Sequence, residues 1–187
     1  MSDLDLERIM NQLWRPAEGE IPPQLYVILD SARDERIYSK LLKSDIEVVS
    51  LYRGDPEQEL ADVAPYLIKL QRIDPLNEWL LKNGWGNSWG IFFESSATMK
   101  ELRQHLRTFL MVYDEEANPL YFRYYDPRVF RIYLPTCDQE EMNTVFGPVH
   151  YYAMEDEDPN FLLRFWPGQD APMQERIQVA KIEATTK

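Results

Sequence analysis

Leu25-Tyr26-Val27-Ile28-Leu29, closed by Asp30-Ser31, is the stretch on which the fold turns. Its unbroken apolar run, bounded by Pro22-Pro23 on one side and turn formers on the other, predicts a buried strand. Beyond it Ile37, Leu41 and Leu42 take helical spacing, and residues 46–51 return to β-branched strand character. The unit is strand, helix, strand. Asp55-Pro56 then places a cap before a proline at the first helical position, and Pro65 stops that helix ahead of a strand over residues 66–70. Asp74-Pro75 repeats the device and opens a helix through Leu76, Trp79 and Leu80 that Gly84 closes.

Outward from these units, Ile91-Phe92-Phe93 predicts another buried strand. Residues 96–110 predict a helix because Met99, Leu102, Leu106 and Phe109 keep one helical stripe. Residues 110–113 and 120–125 flank a turn-forming segment, 114–119, as in a hairpin, and Asp126-Pro127 starts a further short helix. Residues 150–154 and 161–166 bracket the acidic run Glu155-Asp156-Glu157-Asp158, whose expected task is to keep a turn solvated. At the N-terminus Leu6, Ile9, Met10 and Leu13 share one helical face behind Asp3 as cap, which predicts a docking helix. The pattern is that of an α/β protein whose sheet is flanked by helices and mixed in strand direction, since late hairpins join earlier crossovers. Three segments follow: residues 1–23, helix and proline-rich linker; 24–166, the α/β domain; and 167–187, a flexible or helical tail with Met173, Ile177 and Ala180 loosely spaced.

A length of 187 residues with 44% apolar content suits one hydrophobic core and leaves little room for a second domain. No run approaches the roughly 18 apolar residues of a membrane span, and the acidic N-terminus lacks the pattern of a secretory leader, so a cytoplasmic location is expected. The formal net charge of −12 disfavours nucleic acid, whose phosphates attract Lys and Arg. The lone Cys137 has no partner for a disulfide or a thiolate metal site.

Dinucleotide and phosphate-loop motifs are missing. No G-x-G-x-x-G lies between a strand and a helix, and Gly84-Trp85-Gly86-Asn87-Ser88-Trp89-Gly90 lacks the G-K-[ST] ending of a phosphate loop. Only His105 and His150 are available as bases, which leaves a nucleophile and base arrangement few candidates. The expectation is therefore no catalytic residue, no metal and no cofactor. Two groupings stand out instead. His105, Arg107, Arg123, Asp126 and Arg128 form a potential network in which Asp126 caps its own helix and accepts a fork from Arg107 or Arg123. Trp85, Trp89, Tyr124 and Tyr125 are aromatic anchors for a partner or filling for the core, since both roles draw on such side chains.

The ordered succession of residues 26–33, Ser50-Leu51-Tyr52-Arg53-Gly54, Ala64-Pro65-Tyr66-Leu67, Gly84-Trp85-Gly86, His105-Leu106-Arg107, residues 122–128 and Phe146-Gly147-Pro148 resembles domain of unknown function 4123 across about residues 24–155. The resemblance implies a type VI secretion adaptor, or effector chaperone, that binds a cognate effector protein and helps attach it to the valine-glycine-repeat spike (VgrG). It implies binding without catalysis. The chain is short after Pro148 where longer members carry a further helical lobe. The 85–89 loop and an exposed sheet edge are the expected partner contacts. Two other classes compete: a small metal-dependent hydrolase or nuclease using Asp30, Glu94, Asp126 and His105, and an acidic immunity protein that plugs a basic toxin.

Overall fold

The computed structural model describes residues 5–14, 22–54 and 59–180. In chain order these hold α1 (Leu6–Leu13), β1 (Gln24–Asp30), α2 (Glu35–Leu41), β2 (Val48–Ser50), β3 (Pro65–Lys69), α3 (Pro75–Gly84), β4 (Gly90–Ser95), α4 (Met99–Thr108), β5 (Met111–Tyr113) and β6 (Pro119–Tyr121). There follow α5 (Pro127–Tyr133), α6 (Gln139–Phe146), β7 (Val149–Glu155), β8 (Phe161–Trp166) and β9 (Met173–Gln178). The expected Asp55-Pro56 helix start and the expected Asp3 cap lie outside the described residues. Asp5 caps α1, accepting from the Arg8 amide at 3.0 Å.

Seven strands form one sheet in the order β2-β3-β1-β4-β7-β8-β9, and β5 and β6 form a separate pair. The α/β class holds, but the expected mixture of strand directions does not, because every pairing of the described strands is antiparallel. The strand–helix–strand crossovers do return the chain in its starting direction. Each skips one place, however: β3 fills the gap between β1 and β2, and β1 fills the gap between β3 and β4. Interleaving two such units makes an antiparallel sheet from a pattern that reads as parallel.

β1 is therefore central, and Leu25 to Asp30 are all buried. Tyr26, Phe93, Tyr152 and Phe165 are register partners across β1, β4, β7 and β8. They share one sheet face, with Tyr26 and Phe93 stacked at 5.3 Å. α5 and α6 cover that stripe, placing Phe130 and Phe146 at 4.9 and 5.3 Å from Tyr152. The opposite face carries α1, α2 and α3. There Ile9 and Leu13 are buried, and the Tyr151 hydroxyl donates to the Leu13 carbonyl at 2.6 Å, as expected of a docking helix. Gly90 lets β4 approach β1, since a Cβ at that position would run into the Ile28 carbonyl.

The segment after Pro167, expected to be flexible or helical, instead supplies β9, paired with β8 along its length. The spacing of four between Met173 and Ile177 fits a helix turn and also two strand repeats, so periodicity alone does not separate them. The tertiary partner does: Ile177 lies opposite Leu162, and Glu175 pairs with the buried Arg164.

Candidate functional site: a candidate partner-binding surface

Asp30 ends β1 and Asp126 precedes α5; both carboxylates are buried, and Arg123 stands between them. Arg123 pairs with Asp30 and lies 4.0 Å from Asp126. The fork on Asp126 comes from Arg128, with Nε to Oδ1 at 3.0 Å and Nη2 to Oδ2 at 2.6 Å, and the Arg128 amide donates to the same Oδ1 at 3.0 Å. Asp126 is thus a cap as predicted, but its fork is supplied neither by Arg107 nor by Arg123. Arg128 is two residues away in the first turn of the helix that Asp126 caps, so a short local loop closes the pair. Burial pushes the Asp126 carboxyl up, yet the Arg128 fork, the Arg128 amide and the nearby positive charges outweigh it and leave its pKa below the ordinary value.

Arg107 points away from this array. Its Nε donates to the Leu51 carbonyl at 2.8 Å and its Nη2 to the Ser50 carbonyl at 3.1 Å and the Tyr52 carbonyl, tying α4 to the chain leaving β2. His105 also stands apart, with Nε2 3.1 Å from the Val145 carbonyl. Burial lowers the His105 pKa, which favours the neutral ring with its proton on Nε2. The five network residues are therefore one ion array, Arg123–Asp126–Arg128 with Asp30, and two separate ties. Of the residues named for a metal-dependent enzyme, Glu94 faces His150 at 3.5 Å. Among the described residues no three His, Cys, Asp or Glu side chains gather where they could hold a metal ion.

The four aromatic candidates lie in the interior. Trp85 is buried and its indole Nε1 donates to the Pro159 carbonyl at 2.7 Å; Trp89 packs on Trp79 at 5.2 Å under Arg36. The Tyr124 hydroxyl donates to the Leu106 carbonyl at 2.8 Å, and its ring meets Phe109 at 4.4 Å. Tyr125 is buried beside Tyr52, and burial raises its pKa. Of the 85–89 loop only Gly86 and Asn87 are exposed.

What holds that loop is Glu155, the first residue of the acidic run. It does not solvate a turn: its carboxylate is buried and accepts from the Gly86 amide at 2.6 Å, the Ser88 amide at 2.9 Å and the Ser88 hydroxyl at 3.2 Å. Burial dominates over these donors and raises the Glu155 pKa. Membership of a charge run hides such a residue from sequence reading, because its position as the last residue of β7 is what turns it inward.

The surface that sequence reasoning passed over is the β5–β6 hairpin. All six of its strand residues are exposed, among them Met111, Val112, Tyr113, Leu120 and Tyr121. Tyr113 is 70% exposed and Leu120 50%. The available signal was the absence of polar alternation in a pair of three-residue strands, which have too little width to bury both faces. A cleft flanks the hairpin on each side. One, about 510 Å³, is lined by Tyr52, Arg53, Arg107, Leu110, Met111 and Tyr121 among others. The other, about 520 Å³, is lined by Val112, Phe122 and Tyr133 with Asp138, Glu140 and Glu141.

Among the described residues these features define an α/β domain with buried ion pairs and a projecting apolar hairpin between two clefts. The profile of a family described as "Domain of unknown function (DUF4123)" matches residues 25–144, well over half of the chain. The chain belongs to this family, which is associated with type VI secretion effectors. No curated protein and no solved structure matches it significantly. Among the described residues no helix is long and apolar enough to cross a membrane.

Proposed function

We propose that the chain is an adaptor-chaperone that binds a cognate type VI effector and promotes its loading onto the valine-glycine-repeat spike. It acts by binding, with no catalytic residue, no cofactor, no nucleic acid and no insertion into a membrane. Family membership supports the secretion context, and the exposed β5–β6 hairpin carries the binding reading. Contiguous exposed apolar side chains mark interaction sites, because leaving them in water forfeits hydrophobic stabilisation that a partner restores. A releasable cargo complex calls for an interface of roughly 1,200–2,000 Å² with few anchors. The hairpin and its two clefts offer a centre for one.

The test is capture of purified proteins. The tagged full-length chain is mixed with the effector and the spike encoded alongside it, separately and together, and complexes are resolved by size-exclusion chromatography. A complex with the effector that goes on to recruit the spike supports the reading. Retention of neither at micromolar concentration overturns it.

A further inference from the structure

The two clefts beside the hairpin differ in sign. Among the described residues, the cleft on the Met111 side has Arg53 and Arg107 in its lining and no acid, whereas the cleft on the Val112 side has Asp138, Glu140 and Glu141 and no base. Its floor is apolar: the Phe122 and Tyr133 rings meet edge to face at 4.8 Å, and Val112 rises beside them from the exposed hairpin. The acids stand together because α6 begins there. Asp138 caps the helix, and Glu141 returns the bond, with Oδ1 accepting from the Glu141 amide at 2.9 Å and Oε2 from the Asp138 amide at 3.0 Å. That box engages one oxygen of each carboxylate and fixes both side chains at the rim. Glu140, between them in sequence, is exposed. The hairpin turn adds Asp114, Glu115 and Glu116 just past Val112 and Tyr113.

Resting on the adaptor reading, we propose that this second cleft receives a cationic, amphipathic segment of the effector, with apolar side chains on Val112, Phe122 and Tyr133 and Lys or Arg against Glu140, Asp138 and Glu141. An apolar floor alone accepts any greasy segment. The acidic rim discriminates, because an acidic or neutral amphipathic segment gains nothing from it and leaves its carboxylates facing like charges. The arginine-lined cleft across the hairpin would repel the same cationic segment, so the hairpin separates two sites of opposite preference.

The probe is a labelled peptide of Leu and Lys at helical spacing, with a Leu and Glu peptide of the same apolar pattern beside it. Fluorescence anisotropy with the full-length chain is expected to detect the Lys peptide, with affinity falling as salt rises, and to show the Glu peptide bound at least about tenfold more weakly. Because the whole chain is acidic, a remote charge reversal is the control. Glu140→Lys is expected to weaken the Lys peptide about fivefold to tenfold, while Glu78→Lys on α3, with the same change in net charge, changes it less than about twofold. Val112→Asp is expected to weaken binding with the melting temperature unchanged. Equal effects of Glu140→Lys and Glu78→Lys, or equal binding of the two peptides, overturn the proposal. So does sedimentation of the free chain as a dimer that Val112→Asp dissolves, which would make a second copy the occupant. Effector capture separates this failure from that of the adaptor reading. A Glu140→Lys chain that captures the effector as well as the native chain removes the cleft and leaves the adaptor; a native chain that captures neither component removes the adaptor.

Discussion

The Gly84 to Gly90 loop and the β5–β6 hairpin are both short connections rich in large side chains, and the fold treats them in opposite ways. Glu155 reaches into the first from β7 and satisfies its amides, Pro159 accepts from Trp85, and both indoles are buried. The second meets the body mainly at its base, where the Phe122 amide donates to the Leu110 carbonyl at 2.9 Å, and its apolar side chains face solvent. Aromatic content therefore does not separate framework from contact surface. Tertiary surroundings do: the Trp85 indole donates to Pro159 and the Tyr124 hydroxyl to Leu106 inside the body, whereas Tyr113 stands in solvent.

The sharpest break of this contrast is Trp85→Ala. Removing a buried indole is expected to cost about 3–5 kcal/mol in urea denaturation, whereas a loss below about 1 kcal/mol would make the loop as peripheral as the hairpin. Asp126→Ala removes a helix cap and the partner of Arg128, whose half-exposed guanidinium can return to water while Arg123 keeps Asp30, and is expected to cost about 1–3 kcal/mol.

Titration sharpens the comparison within the framework. The Asp126 pKa is lowered on folding, so its contribution is present above the ordinary value of 3.8 and is lost as pH falls through the lowered one. Asp126→Asn is expected to lack that share of the acid loss seen in native urea midpoints. Glu155 has the opposite sign. With its pKa raised, its contribution is present below the ordinary value of 4.5 and is lost as pH rises through the raised one. The stability difference between native protein and Glu155→Gln should shift in favour of the native chain as pH is lowered across that window.

Tyr124→Phe removes one hydroxyl bond to the Leu106 carbonyl and is expected to cost about 1 kcal/mol. The smallest effect on stability belongs to the hairpin. Tyr113→Ser with Leu120→Ser should stay within about 0.5 kcal/mol of the native value while abolishing effector capture in the chromatographic assay. A large loss of stability there would place the hairpin in the framework and leave the adaptor without its surface.

Much of the fold was legible because local chemistry and tertiary demand agreed. The apolar run through Leu29 is the central strand, Asp74 and Asp126 each cap a helix whose first residue is proline, and α4 keeps the stripe of Met99, Leu102 and Leu106. The candidate site was legible only in part. Asp126 was recognisable as a cap, since a cap and its helix are neighbours in sequence. Its choice of Arg128 over Arg107 was not, because three arginines of equal chemistry compete and only distance ranks them. Glu155 was hidden by its acidic neighbours, and the hairpin by the apolar composition that elsewhere in this chain means core.

By itself the sequence determined most of the elements, the caps at Asp74 and Asp126 and the identity of the family, since these depend on side-chain periodicity and neighbouring residues. Tertiary structure alone decided that each crossover leaves a gap which an antiparallel strand fills. It also decided that the segment after Pro167 is an edge strand, that Trp85 and Tyr124 are interior, and that Met111 to Tyr113 are not. The reason is that burial and strand neighbourhood are properties of what lies across the gap, and residues distant in the chain supply it.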